Sequence, residues 1–282
     1  MSLEEQRLEE LTQNWDVSVV ERLDETGIAL VYRVARHDGS AAVLKLYKNG
    51  DPKNEHLGFQ VMRHWNGHGA AELYQSTHDA ILIEYLSGPS LGDLTRSGRD
   101  AETAPVLAQT AKALHRVPQE TDLGLPTLET WYRDLLDFDV HLVAPDLKPL
   151  FEHTKILAKE LFATQGPQII LHGDLHHDNV LHGDRGWLAI DPKGVIGEAE
   201  AEMANTYRNP KGGEGLITSR DRLLGMNAVF ARELDLDPHR LLRWGAVKTA
   251  LSAVWQIKAG LDTGPMPILL PMMLELQGQP LP

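Results

Sequence analysis

LHGDLHHDNVLHGDRGWLAIDP, residues 171–192, is the densest polar stretch of the chain, and its apolar runs are short and β-rich. The runs NVLH (179–182) and WLAI (187–190) flank Gly183-Asp184-Arg185-Gly186, a turn composition that predicts a hairpin. A third run, QIILH (168–172), precedes them. Asp174, Asn179 and Asp191 fall at strand ends, and closing the hairpin brings Asn179 close to Asp191. Phosphoryl transfer needs such a trio. One carboxylate orients a nucleophilic hydroxyl and takes its proton, and two oxygen ligands serve Mg²⁺, which favours a few carboxylate or amide oxygens plus substrate phosphates.

Outward from this island the chain divides. Towards the N-terminus, β-rich runs at 28–36 and 42–47 enclose His37-Asp38-Gly39-Ser40, and Asp-Gly between two such runs predicts an antiparallel hairpin. A further strand is expected at 17–23, a helix at 52–66 with Leu57, Val61 and Trp65 on one face, and apolar runs at 72–76 and 80–86. Ser2 and Glu5 read as a capping box for a helix carrying Leu3, Leu8 and Leu11 on one face. Beyond residue 90 the period becomes helical, with helices expected at 103–115, 127–142, 147–164, 198–207, 219–234, 238–259 and 267–276. The stretch 209–215 (NPKGGEG) is the expected mobile loop. Strands segregated from helices predict an α+β fold rather than a doubly wound sheet. A length of 282 residues allows about two lobes, 1–87 and 88–282.

His172-Gly173-Asp174-Leu175-His176, with Asn179 five residues past Asp174 and Ile190-Asp191 downstream, resembles the catalytic loop and metal-binding aspartate of the aminoglycoside phosphotransferase family. That family is a branch of the protein-kinase-like fold. HGDLHHDN, RGWLAIDPKGVIGE and LDLDPHRLLRWGAVKTALSAVW are similar to its streptomycin 6-phosphotransferase and hydroxyurea phosphotransferase branch. The resemblance implies two lobes, an N-terminal antiparallel sheet with one helix and a larger, mainly helical lobe with a β-loop insert. It implies ATP and Mg²⁺ as cofactors, Asp174 as catalytic base, and Asn179 and Asp191 as metal ligands. Lys45, in AVLKLY, takes the place of the lysine that grips the α- and β-phosphates, and Glu55 that of its ion-pair partner. Glu84 and Leu86, in LIEYL, take the hinge position whose backbone binds adenine. Residues 26–34 stand where a glycine-rich loop is common, with one glycine only, and Glu202 stands where an aspartate usually braces the catalytic loop. Lys193 reads equally as a phosphate contact and as a solvated loop lysine.

The implied activity is ATP-dependent phosphorylation of a hydroxyl on a small molecule, an aminoglycoside or aminocyclitol such as streptomycin. Alternatives are another hydroxylated metabolite, hydroxyurea, or a nucleotide-binding pseudokinase without catalysis. A net charge of −13 argues against nucleic acid and anionic membrane as partners. It favours a cationic acceptor, with Glu198, Glu200, Glu202, Asp235 and Asp237 as the expected acidic field. Zero cysteines exclude thiol chemistry and a disulfide scaffold. An acidic N-terminus without an apolar core, and no run of ~18 apolar residues, lead to the expectation of a cytoplasmic protein. Oligomeric state is not legible. His172, His176, His177 and His182 could suggest a transition-metal site, but the flanking Gly and strands favour loop histidines that support the catalytic turn. Gly88-Pro89-Ser90-Leu91-Gly92 matches a nucleophile elbow, yet a serine hydrolase needs parallel strands where this chain has an antiparallel hairpin.

Overall fold

β-Branched and aliphatic residues in the first third form five strands in the computed structural model, which describes residues 2–119 and 123–281. These are β1 (Val17–Glu25), β2 (Ala29–Arg36), β3 (Ala41–Tyr47), β4 (Leu73–Ser76) and β5 (Ala80–Glu84). Their order is β1-β2-β3-β5-β4, antiparallel at every pairing. The Asp-Gly turn between β2 and β3 forms as expected, with Gly39 at φ 83° and Asp38 Oδ1 accepting the Ser40 N–H at 2.9 Å. Each face of the sheet buries one helix. α1 (Leu3–Asn14) opens with the Ser2/Glu5 capping box and covers the outer face through Leu11, against Val34, Leu44 and Leu82. Leu3 is 81% exposed, because the first turn overhangs the sheet, so the apolar stripe is shorter than expected. α2 (His56–Trp65) packs Phe59 and Met62 under Tyr47, Ile81 and Ile83 on the inner face.

The rest is helical: α3 (Leu91–Arg96), α4 (Thr103–His115), α5 (Leu128–Trp131), α6 (Arg133–Leu136), α7 (Lys148–Ala163), α8 (Ala199–Glu202), α9 (Glu214–Ile217), α10 (Arg220–Leu234), α11 (Pro238–Lys258) and α12 (Met266–Leu276). α11 runs through the centre of this lobe, with Trp244, Ala246, Val247, Ala250, Leu251 and Val254 fully buried. The β insert comprises β6 (Ile169–Leu171) paired with β9 (Val195–Gly197), and the hairpin β7 (Val180–Gly183) with β8 (Gly186–Ala189).

Two expected helices are broken, for a common physical reason. The stretch 127–142 becomes α5, α6 and a 3₁₀ turn at Val140–Leu142, where the Asp139 carboxylate accepts the His141 N–H at 2.9 Å. The stretch 198–207 stops as α-helix at Glu202 and tightens into a 3₁₀ turn over Met203–Arg208, where Thr206 Oγ1 donates to Met203 O at 2.6 Å. Short polar side chains bond their own backbone and compete with the i→i−4 ladder. The expected loop 209–215 begins at buried Asn209, whose carbonyl accepts from Arg222 at 3.0 Å, and its last residues already belong to α9.

Candidate active site

The turn after β6 is held from below. Glu202, 2% exposed, accepts the His172 N–H at 2.7 Å on Oε2 and the Gly173 N–H at 3.2 Å on Oε1. His115 Nε2 lies 3.5 Å from the same carboxylate. Burial pushes the Glu202 carboxyl up, but His115 and the loop N–H groups outweigh it and hold the group below its ordinary value. Gly173 turns at φ 78°, where a side chain is disfavoured. His172 is fully buried against Trp65. Its Nδ1 accepts the Asp174 N–H at 3.2 Å and its Nε2 donates to Ile190 O at 2.9 Å, which specifies a neutral ring; burial lowers its pKa in the same sense.

These bonds aim Asp174. Asn205 Nδ2 donates to its Oδ1 at 2.8 Å, and Asn179 Nδ2 donates to its main-chain oxygen at 3.0 Å. Burial raises the Asp174 pKa, but His176, Lys248 and Lys193 leave it below the usual carboxylate range. The carboxylate is therefore ionised at neutral pH.

The hairpin β7–β8 brings the trio together. The Ile190 N–H donates to Asn179 O at 2.9 Å, and Asp191 follows at φ 57°. Lys45 Nζ sits 2.9 Å from Asp191 Oδ2 and 2.7 Å from Glu55 Oε2. Burial alone would lower the Lys45 pKa; Asp191 and Glu55 together raise it, so the ammonium stays charged. Burial likewise pushes Asp191 up, and Lys45 pulls it down. Glu55 lies in a 3₁₀ turn, Lys53–Glu55, just ahead of α2 rather than within the expected helix. It also accepts from Tyr47 OH at 2.7 Å and from Lys193 Nζ at 2.7 Å. Lys193 is thus no solvated lysine. A side chain at Gly58 would meet Pro192 O at 1.9 Å, so the start of α2 rests directly on the loop that follows Asp191.

Between the sheet and the hairpin lies a cleft of about 220 Å³, lined by Val31, Val43, Lys45, Leu86, Ile190 and Asp191 among others. Its apolar walls and charged floor suit a nucleotide base and its phosphates. Leu86 and Glu84 both line it. The Leu86 N–H has no partner among the described residues. The Glu84 N–H is taken by Glu72 O at 2.9 Å, and its carboxylate is held by Arg185 of the β7–β8 turn, at 3.0 Å from Nε. Its side chain therefore ties the sheet to the hairpin and leaves only main chain for a ligand. The β1–β2 turn, lacking further glycines, is closed by Thr26, whose Oγ1 accepts the Ala29 N–H at 3.0 Å.

The four histidines serve separate ends. His176 Nδ1 accepts the Asp178 N–H at 3.2 Å, His177 Nε2 lies 3.3 Å from Arg222, and His182 packs on the edge of Trp187. Ser90 is the N-cap of α3 in a capping box with Asp93 and is no nucleophile elbow. Three of the five acidic residues expected to form a field beside the acceptor use their carboxylates in the scaffold. Glu202 braces the loop; Glu198 binds Arg240, Trp244 and the Gly166 N–H; Asp237 caps α11; Asp235 ends α10 through its backbone and keeps its carboxylate exposed. Asn205, which the catalytic-loop motif does not contain, reaches Asp174 from the 3₁₀ turn after α8, and Arg208 on the same turn lies 3.5 Å from Asn205 Oδ1.

The family model described as aminoglycoside/hydroxyurea antibiotic resistance kinase matches residues 14–260. The chain belongs to this family. Among curated members of the antibiotic resistance kinases, it is 36% identical to a streptomycin 3''-kinase of Klebsiella pneumoniae over 230 residues, 80% of this chain and 83% of the relative. It is 28% identical to a streptomycin 6-kinase of Streptomyces griseus over 83% of this chain and 76% of that one. It is 29% identical to a hydroxyurea phosphotransferase of Kitasatospora aureofaciens over 90% and 73%. The fold matches aminoglycoside phosphotransferase APH(4)-Ia, solved as a ternary complex with ADP and hygromycin B, at a TM-score of 0.68 and 15% identity, covering 99% of this chain and 98% of that one. This kinase-family chain is a phosphotransferase with a hydroxyl acceptor. No helix among its described residues is long and apolar enough to cross a membrane.

Proposed function

We propose that this chain transfers the γ-phosphoryl group of Mg·ATP to a hydroxyl of an aminoglycoside or aminocyclitol such as streptomycin. One observation carries the chemistry: an ionised, aimed Asp174 is tied through Asn179, which bonds both Asp174 O and the Ile190 N–H, to Asp191 of the Lys45–Glu55–Asp191 triangle. Lys45 holds the α- and β-phosphates, with Glu55 fixing its reach. Main-chain groups at Leu86 and Glu84 take the adenine. Asp174 accepts the proton of the attacking hydroxyl. Residues 1–87 act as the nucleotide lobe and 88–282 as the catalytic and acceptor lobe.

The donor set fits Mg²⁺. Asn179 commits its nitrogen to Asp174 O, which leaves Oδ1 for a ligand, and Asp191 meets Lys45 through Oδ2, which leaves Oδ1. Hard oxygen donors in that number suit Mg²⁺ with substrate phosphates completing the shell. When bound, the ion neutralises phosphate charge. The protein residues position the reactants and stabilise charge, which is where most of such catalysis lies.

A cationic acceptor is proposed from the names of the streptomycin-kinase relatives and from the net charge of −13, which attracts cations as a whole-surface field. A cytoplasmic location, where ATP is at hand, is part of the same proposal. The experiment is a kinase assay over streptomycin, other aminocyclitols, hydroxyurea and neutral polyols, with mass detection of the phosphorylated product. Phosphorylation of streptomycin or another aminocyclitol supports the proposal. Transfer to hydroxyurea or polyols alone overturns the acceptor class, and ATP binding without transfer to any acceptor overturns the activity.

A further inference from the structure

Arg185, at the tip of the β7–β8 hairpin, reaches out of the large lobe and uses its whole guanidinium on the small one. Its Nε donates to Glu84 Oε1 at 3.0 Å and its Nη2 to Glu84 Oε2. Nη1 donates to Gly67 O at 2.8 Å, and Nη2 also donates to Ala70 O at 3.2 Å. Gly67 and Ala70 lie on the connection between α2 and β4, which turns through left-handed backbone at Asn66, Gly67 and Gly69. Glu84 is the last residue of β5, and its Oε2 accepts the Glu72 N–H as well, at 3.1 Å. A solvated ion pair on a flexible lysine contributes little. A bidentate arginine fork on a carboxylate that is 13% exposed, with two main-chain oxygens filling the rest of the guanidinium, is a fixed joint.

The same hairpin fastens the segment after β5 at two more places. The Gly88 N–H donates to His182 O at 2.8 Å, and the His182 N–H to Pro89 O at 3.0 Å. A Cβ at Gly183 would stand 2.6 Å from Leu86 Cδ2, so the bare backbone of β7 seats that side chain. β8 holds the α2–β4 connection: the Ala71 N–H donates to Ala189 O and the Ala189 N–H to Gly69 O, both at 2.9 Å. Residues 84–89 and the α2–β4 connection are thus splinted onto one hairpin. Glu84, Tyr85 and Leu86 line the nucleotide cleft. Both carboxylate oxygens of Glu84 are taken, while the Leu86 N–H has no partner among the described residues. This wall therefore offers an entering base main-chain groups only, and they are held from behind.

We propose that Arg185 is a positioning residue for base selection: by clasping Glu84 to the α2–β4 connection it fixes the Glu84 carbonyl and the Leu86 N–H as an acceptor and donor pair, which accepts a 6-aminopurine and rejects a 6-oxopurine. This rests on the nucleotide site proposed above and adds to it what selects the base. A 6-aminopurine presents an amino donor beside the N1 acceptor. A 6-oxopurine presents the O6 acceptor beside an N1–H donor. Against a fixed acceptor and donor the second edge sets acceptor on acceptor and donor on donor. A loose segment shifts to suit either edge, but a splinted one leaves the wrong base with unpaired polar groups, and such groups are what give a site its discrimination. Rigid placement also spares the right base the cost of ordering the wall.

The test is calorimetric binding of ADP and of IDP, each with Mg²⁺, to the wild type and to Arg185→Met; no acceptor or transfer is needed. IDP differs from ADP only at the base edge in question. The wild type binds ADP about 10²-fold more tightly than IDP, the size of two mispaired polar groups. In Arg185→Met, ADP binds about ten-fold more weakly while IDP stays within about two-fold, so the ratio narrows to about ten. Methionine leaves the Glu84 carboxylate without its arginine, so Arg185→Met/Glu84→Gln is measured beside it, with the same narrowed ratio expected. A role confined to holding the fold lowers both affinities together. An equal loss for the two nucleotides, or a ratio unchanged from wild type in both variants, therefore overturns the role of Arg185. A wild type that binds IDP as tightly as ADP overturns the main-chain reading of the base and this role with it. A wild type that binds neither overturns transfer from Mg·ATP itself.

Discussion

Glu202→Gln removes a single charge at the root of the catalytic turn. The carboxylate takes the His172 N–H at 2.7 Å and the Gly173 N–H at 3.2 Å, with His115 at 3.5 Å, all out of water. Glutamine keeps one oxygen for His172 and points an NH₂ at a donor, Gly173 N–H. A hydrogen bond to a charged group contributes ~1.5–3 kcal/mol and a stranded buried donor costs ~1–3 kcal/mol, so the loss is about 3–5 kcal/mol. At ~2–4 °C per kcal/mol for a chain of this size, Tm falls by ~6–20 °C. Because the turn aims Asp174, kcat falls as well, by ~10²-fold for a shift of about 1 Å. The pH dependence follows from the lowered folded-state pKa. Stability from Glu202 is complete above its ordinary value of 4.5 and is lost as pH falls through the folded value. Scanning calorimetry from neutral pH down through that folded-state value shows a smaller acid-induced loss in the variant, since that component is absent. A Tm within ~1 °C of wild type with full kcat refutes the bracing role.

Asp191→Ala abolishes Mg²⁺-dependent turnover, whereas Asp184→Ala, at the exposed tip of the β7–β8 turn, leaves it near wild type; equal Mg²⁺ titrations for the two contradict the metal assignment. Gly58→Ala places a methyl 1.9 Å from Pro192 O, so α2 must move. Overpacking of that kind costs ~1–3 kcal/mol, and displacing Glu55 loosens Lys45. KM for ATP rises with the fall in Tm, and an unchanged KM shows that the α2 contact does not set the lysine.

The juxtaposition of Asp174, Asn179 and Asp191 was legible because they lie within twenty residues on short strands joined by tight turns, where spacing sets geometry. The pairing of Lys45 with Glu55 was legible through the family resemblance, since strand period alone would leave Lys45 an exposed lysine, and Glu55 occupies a 3₁₀ turn rather than the expected helix. Asn205 was not legible. It faces Asp174 only because Thr206 bonds back to Met203 O and tightens the chain after α8. Lys248 and Trp255 were read only as part of the helix expected at 238–259, and the stacking of that ammonium over the indole shows only in the packing of α11. The acidic cluster misled for a related reason: composition counts Glu198 and Glu202 as surface charge, and the fold spends them on Arg240 and on the catalytic turn. Polar side chains bonding nearby backbone also hid the breaks in 127–142 and 198–207.

The central claim is that Asp174 takes the acceptor proton during transfer from ATP. Asp174→Asn is close to isosteric, keeps the Asn205 contact geometry and cannot take a proton. Product formation by wild type and variant is measured by mass spectrometry on Mg·ATP with an accepted aminocyclitol, alongside calorimetric ATP binding. The expected result is a fall in kcat of ~10²–10⁴-fold with ATP affinity unchanged. Retention of more than about a tenth of kcat contradicts the assignment of the base.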